Sequence, residues 1–230
     1  MSIEQSTSLR RVLAAISISV LAACGGGGGG GSDTAGYPLL AAYRASLVNG
    51  GSETFNVSGS CVGTYTATDK PAVAAVFEGV SGFSTNDTDT WNLANCTFTA
   101  NAGVTNFYYD ASYTLLGYVS SNGTYARAEG TTPLPQSARV GESGDYTTLV
   151  TYSDSTRAAR TGHVSYRWAI EDAGGGQGVA VLTSTSHDAS GKATGSASAR
   201  YLLTTDARLL VQGMTIQSFS SGITLNLSPI

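Results

Sequence analysis

The stretch HVSYRWAIE, residues 163–171, decides the fold class of this chain. Its apolar residues occupy every second position: Val164, Tyr166, Trp168 and Ile170. Its polar residues fill the alternate positions: His163, Ser165, Arg167 and Glu171. Alternation with a period of two is typical of a β-strand that has one buried face and one solvated face. The stretch therefore predicts a half-buried strand.

The same period recurs on both sides of this stretch, with short polar turns between the segments. The further predicted strands are 55–68, 73–77, a strand through Trp91, Leu93 and Cys96, 107–109, 115–120, 125–128, 146–153, 179–187, 192–203, 208–219 and 223–227. Short connections between successive strands favour antiparallel pairing of sequence neighbours. We expect an all-β fold, an antiparallel meander that forms either a sandwich or an open half-barrel. Asn122-Gly123 predicts a type I′ hairpin turn.

One helix is expected, over residues 38–48. Pro38 suits a first helical position, and Gly50 can end the helix in a left-handed conformation. Apolar residues recur at four-residue steps: Leu39, Tyr43 and Leu47. A short amphipathic helix of this kind is expected to dock on the sheet. Membrane-surface binding is the alternative, but Arg44 is the only basic residue in the helix.

The first 23 residues have the layout of a secretory signal peptide. Arg10 and Arg11 supply positive charge, and residues 12–21 form an apolar run too short for a permanent transmembrane helix. The run ends on Leu21-Ala22-Ala23-Cys24, which resembles the lipobox of bacterial lipoproteins. The alternatives are an ordinary cleaved signal followed by a chance cysteine and, less favoured, a true transmembrane helix.

The lipobox resemblance implies a specific modification of Cys24. Its thiol would receive a diacylglycerol (palmitate or a similar acyl chain), cleavage would fall just before it, and the new amino group would be acylated. Two or three acyl chains make membrane attachment effectively permanent. Residues 24–36 would then form a lipidated glycine-rich tether with a reach of roughly 20 Å, and residues 37–230 a single β-rich domain. Gly25, in place of an aspartate, favours the outer membrane, with the domain facing the periplasm or the cell surface.

The cysteine count agrees with export to an oxidising compartment. With Cys24 lipidated, Cys61 and Cys96 remain as one candidate disulfide pair. Closing a loop of about 35 residues would stabilise the fold by about 3–4 kcal/mol in the chain-entropy model. Two unpaired buried thiols are the alternative.

Composition argues against several partners. The formal net charge is −4 and only 12% of residues are charged. No basic patch is visible, so nucleic acid is not an expected partner. The expected partners are the membrane, through the acyl chains, and an envelope protein or a lipid.

No catalytic or metal-binding constellation is visible, and no cofactor is expected. The chain has only two histidines, His163 on the polar face of a strand and His187 at a strand end beside Asp188. The His187-Asp188 pair could orient a catalytic base, although a solvated turn histidine is the simpler interpretation. Residues 86–89, Asn-Asp-Thr-Asp, are interpreted as an acidic turn that lacks the EF-hand pattern for calcium. We therefore expect no catalytic residues, no metal ligands and no enzyme.

Tyr166 and Trp168 are the only candidate ligand-binding residues. Aromatic residues are favoured in half-buried strands for packing alone. On a concave sheet, however, these two side chains could hold an apolar ligand or a sugar.

Four further segments resemble a family of uncharacterised proteobacterial lipoproteins. They are 58–63 (SGSCVG), 95–97 (NCT), 107–110 with 116–118 (FYYD and LGY), and 152–155 (YSDS). The shared motifs are turns and a cysteine pair, so the resemblance implies an exported lipoprotein and no particular activity. The resulting hypothesis is a lipid-anchored envelope protein that serves as a structural or interaction module. The alternative is a carrier of an apolar ligand or sugar in a sheet-lined cavity.

Overall fold

A computed structural model describes residues 36–96 and 102–230. The predicted signal peptide, Cys24 and all of the predicted tether except Gly36 lie outside these residues. The described part of the chain forms one α-helix and thirteen strands. They are α1 (Leu39–Asn49), β1 (Gly51–Gly59), β2 (Val62–Asp69), β3 (Val73–Phe77), β4 (Val80–Ala94), β5 (Gly103–Asp110), β6 (Leu115–Ser120), β7 (Tyr125–Thr131), β8 (Ser143–Tyr152), β9 (Arg160–Gly174), β10 (Gln177–Asp188), β11 (Ala193–Leu203), β12 (Leu209–Ser218) and β13 (Ile223–Pro229). The prediction of an all-β fold with one short helix is confirmed.

The meander closes on itself as a twelve-stranded antiparallel barrel. Strand β1 pairs with β13, from Phe55 opposite Pro229 to Gly59 opposite Leu225. Strand β2 pairs with β4 and completes the ring. Because the first and last strands meet, the fold is a closed barrel rather than a two-sheet sandwich or an open half-barrel.

Strand β3 lies outside the ring because β4 is unusually long. Residues Asp87–Ala94 of β4 pair with β2, whereas Val80–Ser84 pair with β3. The β3–β4 hairpin turns at Glu78-Gly79, where both residues have positive φ, 48° and 82°. Two consecutive positive φ angles are typical of a type I′ turn. The predicted turn at Asn122-Gly123 differs, since only Gly123 has a positive φ there.

The barrel interior is the hydrophobic core. The alternation predicted for 163–171 is confirmed: Val164, Tyr166 and Ile170 point inward and are at most 2% exposed. Their cross-strand neighbours on β10 are Ser186, Ser184 and Ala180, which are also buried. Large and small inward side chains thus alternate between adjacent strands, as is usual in a filled barrel.

Helix α1 closes one end of the barrel, which we call the helix end. Its buried residues are Leu39, Ala42, Tyr43 and Leu47. Just before the helix, Tyr37 exchanges two backbone hydrogen bonds with Ala138, and its hydroxyl donates to the carbonyl oxygen of Gly176 at 2.5 Å. At the other end of the helix, the Ala72 N–H donates to the Leu47 carbonyl at 2.9 Å. The helix therefore docks on the sheet, as predicted, by covering the barrel opening.

The opposite end carries the disulfide, and we call it the disulfide end. Cys61, in the β1–β2 turn, is bonded to Cys96, which follows β4. The bond ties together the two hairpins through which the ring closes.

Candidate functional site

Three aspartates point into the barrel from two neighbouring strands. Asp69 ends β2 and lies opposite Asp87 of β4, while Asp89 lies opposite Ala67. Their exposures are 6%, 4% and 8%. We call these three residues the interior carboxylate cluster. They are the only buried acidic side chains among the described residues.

The cluster corrects the sequence interpretation of residues 86–89 as a turn. These residues lie in the middle of β4, which is paired with β2 on one side and with β5 on the other. The inward positions of β4 continue as Phe83, Thr85, Asp87, Asp89 and Trp91, so the period of two was present in the sequence. The sequence interpretation followed the polarity of these residues and not their period of two, because aspartates are depleted in strands.

Hydrogen bonding and a raised pKa reduce the cost of burying these carboxyl groups. The Tyr65 hydroxyl donates to Asp89 Oδ1. Burial is the main cause that raises the pKa of Asp69 to about 7; the nearby Asp89 charge acts in the same direction, and a hydrogen bond with Asp87 acts in the opposite direction. Two adjacent buried carboxylates cannot both be ionised cheaply, so Asp69 keeps its proton to a higher pH than an exposed aspartate does.

Tyrosine hydroxyls surround the cluster. Burial raises the pKa of Tyr201, and the charges of Asp69, Asp87 and Glu53 add to the increase. Burial also raises the pKa of Tyr43, although hydrogen bonds with Tyr146 and Tyr109 partly oppose the shift. These phenols therefore remain protonated donors across the physiological range.

The Tyr146 hydroxyl links the strands near the helix end. It accepts a hydrogen bond from the Leu115 N–H at 3.0 Å and donates to the Tyr113 carbonyl at 3.3 Å. Its ring meets Tyr43 of the helix edge-on, with centroids 5.9 Å apart. A carboxyl group with phenol donors around it can exchange protons.

The two predicted ligand-binding residues both lie on β9 with inward side chains. Tyr166 is 1% exposed. Trp168 is only partly buried and packs over Gly144, where an added Cβ would lie 3.0 Å from its indole nitrogen. Ligand binding by this pair stays a prediction.

The two histidines meet on the outer face of the barrel. His163 and His187 are directly opposite in β9 and β10, with parallel rings (7°) and centroids 4.2 Å apart. Burial lowers the pKa of His163, and the neighbouring His187 and Arg160 lower it further, against a smaller opposite effect of Glu129. Sequence reasoning treated the two residues as separate, because only the register of the hairpin brings them together.

The hypothesised His187-Asp188 dyad does not form. Asp188 Oδ1 accepts hydrogen bonds from the Ser190 N–H, the Ser190 hydroxyl and the Lys192 N–H. Asp188 therefore stabilises its own turn, and its Oδ1 is hydrogen-bonded within that turn and not to the imidazole.

The tip of the β3–β4 hairpin folds onto the outer face of the barrel. The Phe77 ring stacks on Tyr108 and Tyr125 with centroid distances of 4.6 and 5.6 Å. It sits over Gly117, where an added Cβ would lie 2.7 Å from the ring.

Glu78 holds the same tip through polar contacts. It accepts hydrogen bonds from the Tyr125 hydroxyl at 2.6 Å and from Arg157 at 2.9 Å. Arg127 adds an ion pair at 3.7 Å. Sequence reasoning missed this attachment, since its partners come from β5, β6, β7 and the β8–β9 loop.

The fold and these sites define the class of the protein: a closed β-barrel with a helical plug and an acidic interior. Comparisons with protein-family models, curated proteins and solved structures find no match for this chain. Within residues 36–96 and 102–230, no helix has the length and apolarity needed to cross a membrane. In the same ranges, no three or more His, Cys, Asp or Glu side chains are arranged to hold a metal ion.

Proposed function

We propose that this protein is a lipid-anchored β-barrel of the bacterial cell envelope, attached through acyl chains on Cys24 and acting as a structural or interaction module. The observation that carries the proposal is the packing of the barrel interior. Four large inward side chains on β5, β6, β8 and β9 are at most 2% exposed: Phe107, Tyr118, Leu149 and Tyr166. A filled interior supports a role for the outer surface in contacts with partners.

The position at which the described residues begin is consistent with a tethered domain. Tyr37 is hydrogen-bonded to Ala138 in the β7–β8 connection, so the chain enters the barrel at the helix end. The thirteen positions from Cys24 to Gly36 contain eight glycines. A glycine-rich coil of this length spans roughly 20 Å on average, which supports a spacer between a membrane anchor and the barrel.

The outer surface offers one feature suited to protein contacts. Strand β3 pairs only with β4 among the described residues, so its second edge is open. Val73 and Val76 on this strand are 61% and 64% exposed. Open apolar edges are sites at which other chains can add a strand.

The alternative function is transport or binding of an apolar ligand. Twelve strands enclose more space than the eight that side chains alone can fill. Trp91, Leu93 and Ile223 are only partly buried although they pack on the core. These residues lie towards the disulfide end and would line the entrance of such a site.

Two measurements test the proposal. The first is metabolic labelling with a clickable fatty acid, in which the Cys24→Ala variant should lose the label that the native protein carries. Equal labelling of both proteins would reject lipid anchoring. The second is mass spectrometry of proteins and lipids that co-purify with the native protein from membranes. A reproducible protein partner supports the interaction module, and a stoichiometric lipid instead supports the carrier.

A further inference from the structure

The chain has only two histidines, and the fold brings both to one point. His163 and His187 are 24 positions apart in sequence, yet they are direct cross-strand neighbours on β9 and β10. Directly opposite residues on one face of a sheet have Cβ atoms about 4.5–5.5 Å apart. The two imidazoles therefore occupy a spacing that is fixed by backbone pairing and not by flexible loops.

The two rings lie face to face and are close enough to be brought onto one ion. The rings are parallel within 7° and their centroids are 4.2 Å apart. Imidazole nitrogens bind transition metals at about 2.0–2.1 Å, which places two adjacent ligand atoms about 3 Å from each other. In the stacked arrangement the nitrogen lone pairs lie in two parallel planes, so both side chains must rotate about the Cβ–Cγ bond before they can point at one ion.

One ring nitrogen of this pair lacks a partner. Nδ1 of His187 is buried and makes no hydrogen bond. A buried polar atom without a partner costs free energy, and a bound ion is one of the recognised explanations for such an atom. Coordination through Nδ1 would satisfy the atom and leave Nε2 free to carry the proton.

We propose that His163 and His187 form a two-histidine binding site for a divalent transition-metal ion on the outer face of the barrel. Neutral imidazole is the commonest protein ligand for such ions, and the general affinity order makes Cu²⁺ the tightest binder, ahead of Ni²⁺ and Zn²⁺. No third His, Cys, Asp or Glu completes the site among the described residues, so water fills the remaining positions. The site is independent of the proposed anchoring and interaction function.

The test uses the full-length protein purified without a histidine tag and titrated with Cu²⁺, with calorimetry and electron paramagnetic resonance as readouts. We expect one ion per chain, with hyperfine coupling from two imidazole nitrogens. His163→Ala and His187→Ala should each weaken binding at least tenfold, and His163→Gln should do so while preserving the size of the side chain. Ser165→Ala, on the same face of β9, is the matched control and should change affinity less than twofold.

Three results would overturn the site. The first is that a folded variant with either histidine substituted binds Cu²⁺ with unchanged affinity. The second is a spectrum with fewer than two nitrogen ligands. The third is a stoichiometry of one ion shared between two chains. Absence of saturable binding at 100 µM Cu²⁺ would also overturn the site. Circular dichroism confirms that each variant is folded.

Discussion

At the scale of single residues, the interior carboxylate cluster makes stability depend on pH. A carboxylate whose pKa is raised in the folded state binds its proton more tightly there than in the unfolded chain. For Asp69 the folded pKa is about 7, against an ordinary value of 3.8. Its contribution to stability is therefore fully present below about pH 4 and is lost as the pH rises towards and through 7.

Substitution Asp69→Asn should remove this pH dependence. The asparagine stays neutral and can still donate to Asp87, so the variant should be more stable than the native protein at pH 8, by up to about 4 kcal/mol. The difference between the two proteins should shrink at pH 5. Urea denaturation at both pH values measures the effect. Asp145→Asn, at a largely exposed aspartate, is the control, and an equal effect of both variants would contradict the assignment.

At the scale of elements, α1 and the β3–β4 hairpin are held in place in different ways. The helix has few favourable end contacts of its own, since its first turn has no acidic residue and its N-cap, Pro38, makes no side-chain hydrogen bond. Its stability therefore comes from tertiary packing of its buried face, as is usual for short helices. The hairpin is instead attached from outside, through Phe77 and Glu78.

Leu47→Ala should destabilise the protein by about 2–5 kcal/mol, the usual cost of truncating a fully buried leucine. Leu47 is 1% exposed, whereas the next residue, Val48, is 45% exposed. Val48→Ala is therefore a matched control in the same helical turn, with an expected effect within about 0.5 kcal/mol. Thermal or chemical unfolding measures both. Similar losses for the two variants would mean that the helix does not plug the barrel as described.

Phe77→Ala should release the hairpin tip while the barrel stays folded. The substitution removes the ring stacked between Tyr108 and Tyr125 and leaves the space over Gly117 empty. Hydrogen exchange should accelerate in residues 73–84 and remain unchanged in β9 and β10. Val76→Ala, one position earlier and 64% exposed, should leave the exchange rates as they are. Slow exchange in both variants would show that the ring does not hold the hairpin.

At the scale of the whole molecule, closure of the barrel removes nearly every sheet edge, and the disulfide reinforces the place where the ring closes. Cys61 and Cys96 are 35 residues apart in sequence. In the chain-entropy model the bond acts mainly by restricting the unfolded chain, so its removal lowers stability without changing the native barrel.

The double variant Cys61→Ser/Cys96→Ser should therefore unfold with a loss of about 3–4 kcal/mol and keep its far-ultraviolet circular dichroism spectrum. Denaturant titration of the native and variant proteins measures the loss. The native protein treated with a reductant is the control and should match the double variant. An unchanged midpoint in both would indicate that the bond contributes nothing to stability.

The amino-acid sequence by itself determined most of the local elements of this protein, although the polarity of residues 86–89 concealed the middle of β4. Period-two patterns such as 163–171 predicted strands, and the four-residue spacing in 38–48 predicted the helix, because side chains of neighbouring residues alone set these patterns. Only the tertiary structure decided that Phe55 pairs with Pro229, that Asp69 and Asp87 share the interior, and that His163 faces His187. Each of these depends on strand register between distant segments. Register is decided by the collective burial of one face of every strand, which no single stretch of sequence contains.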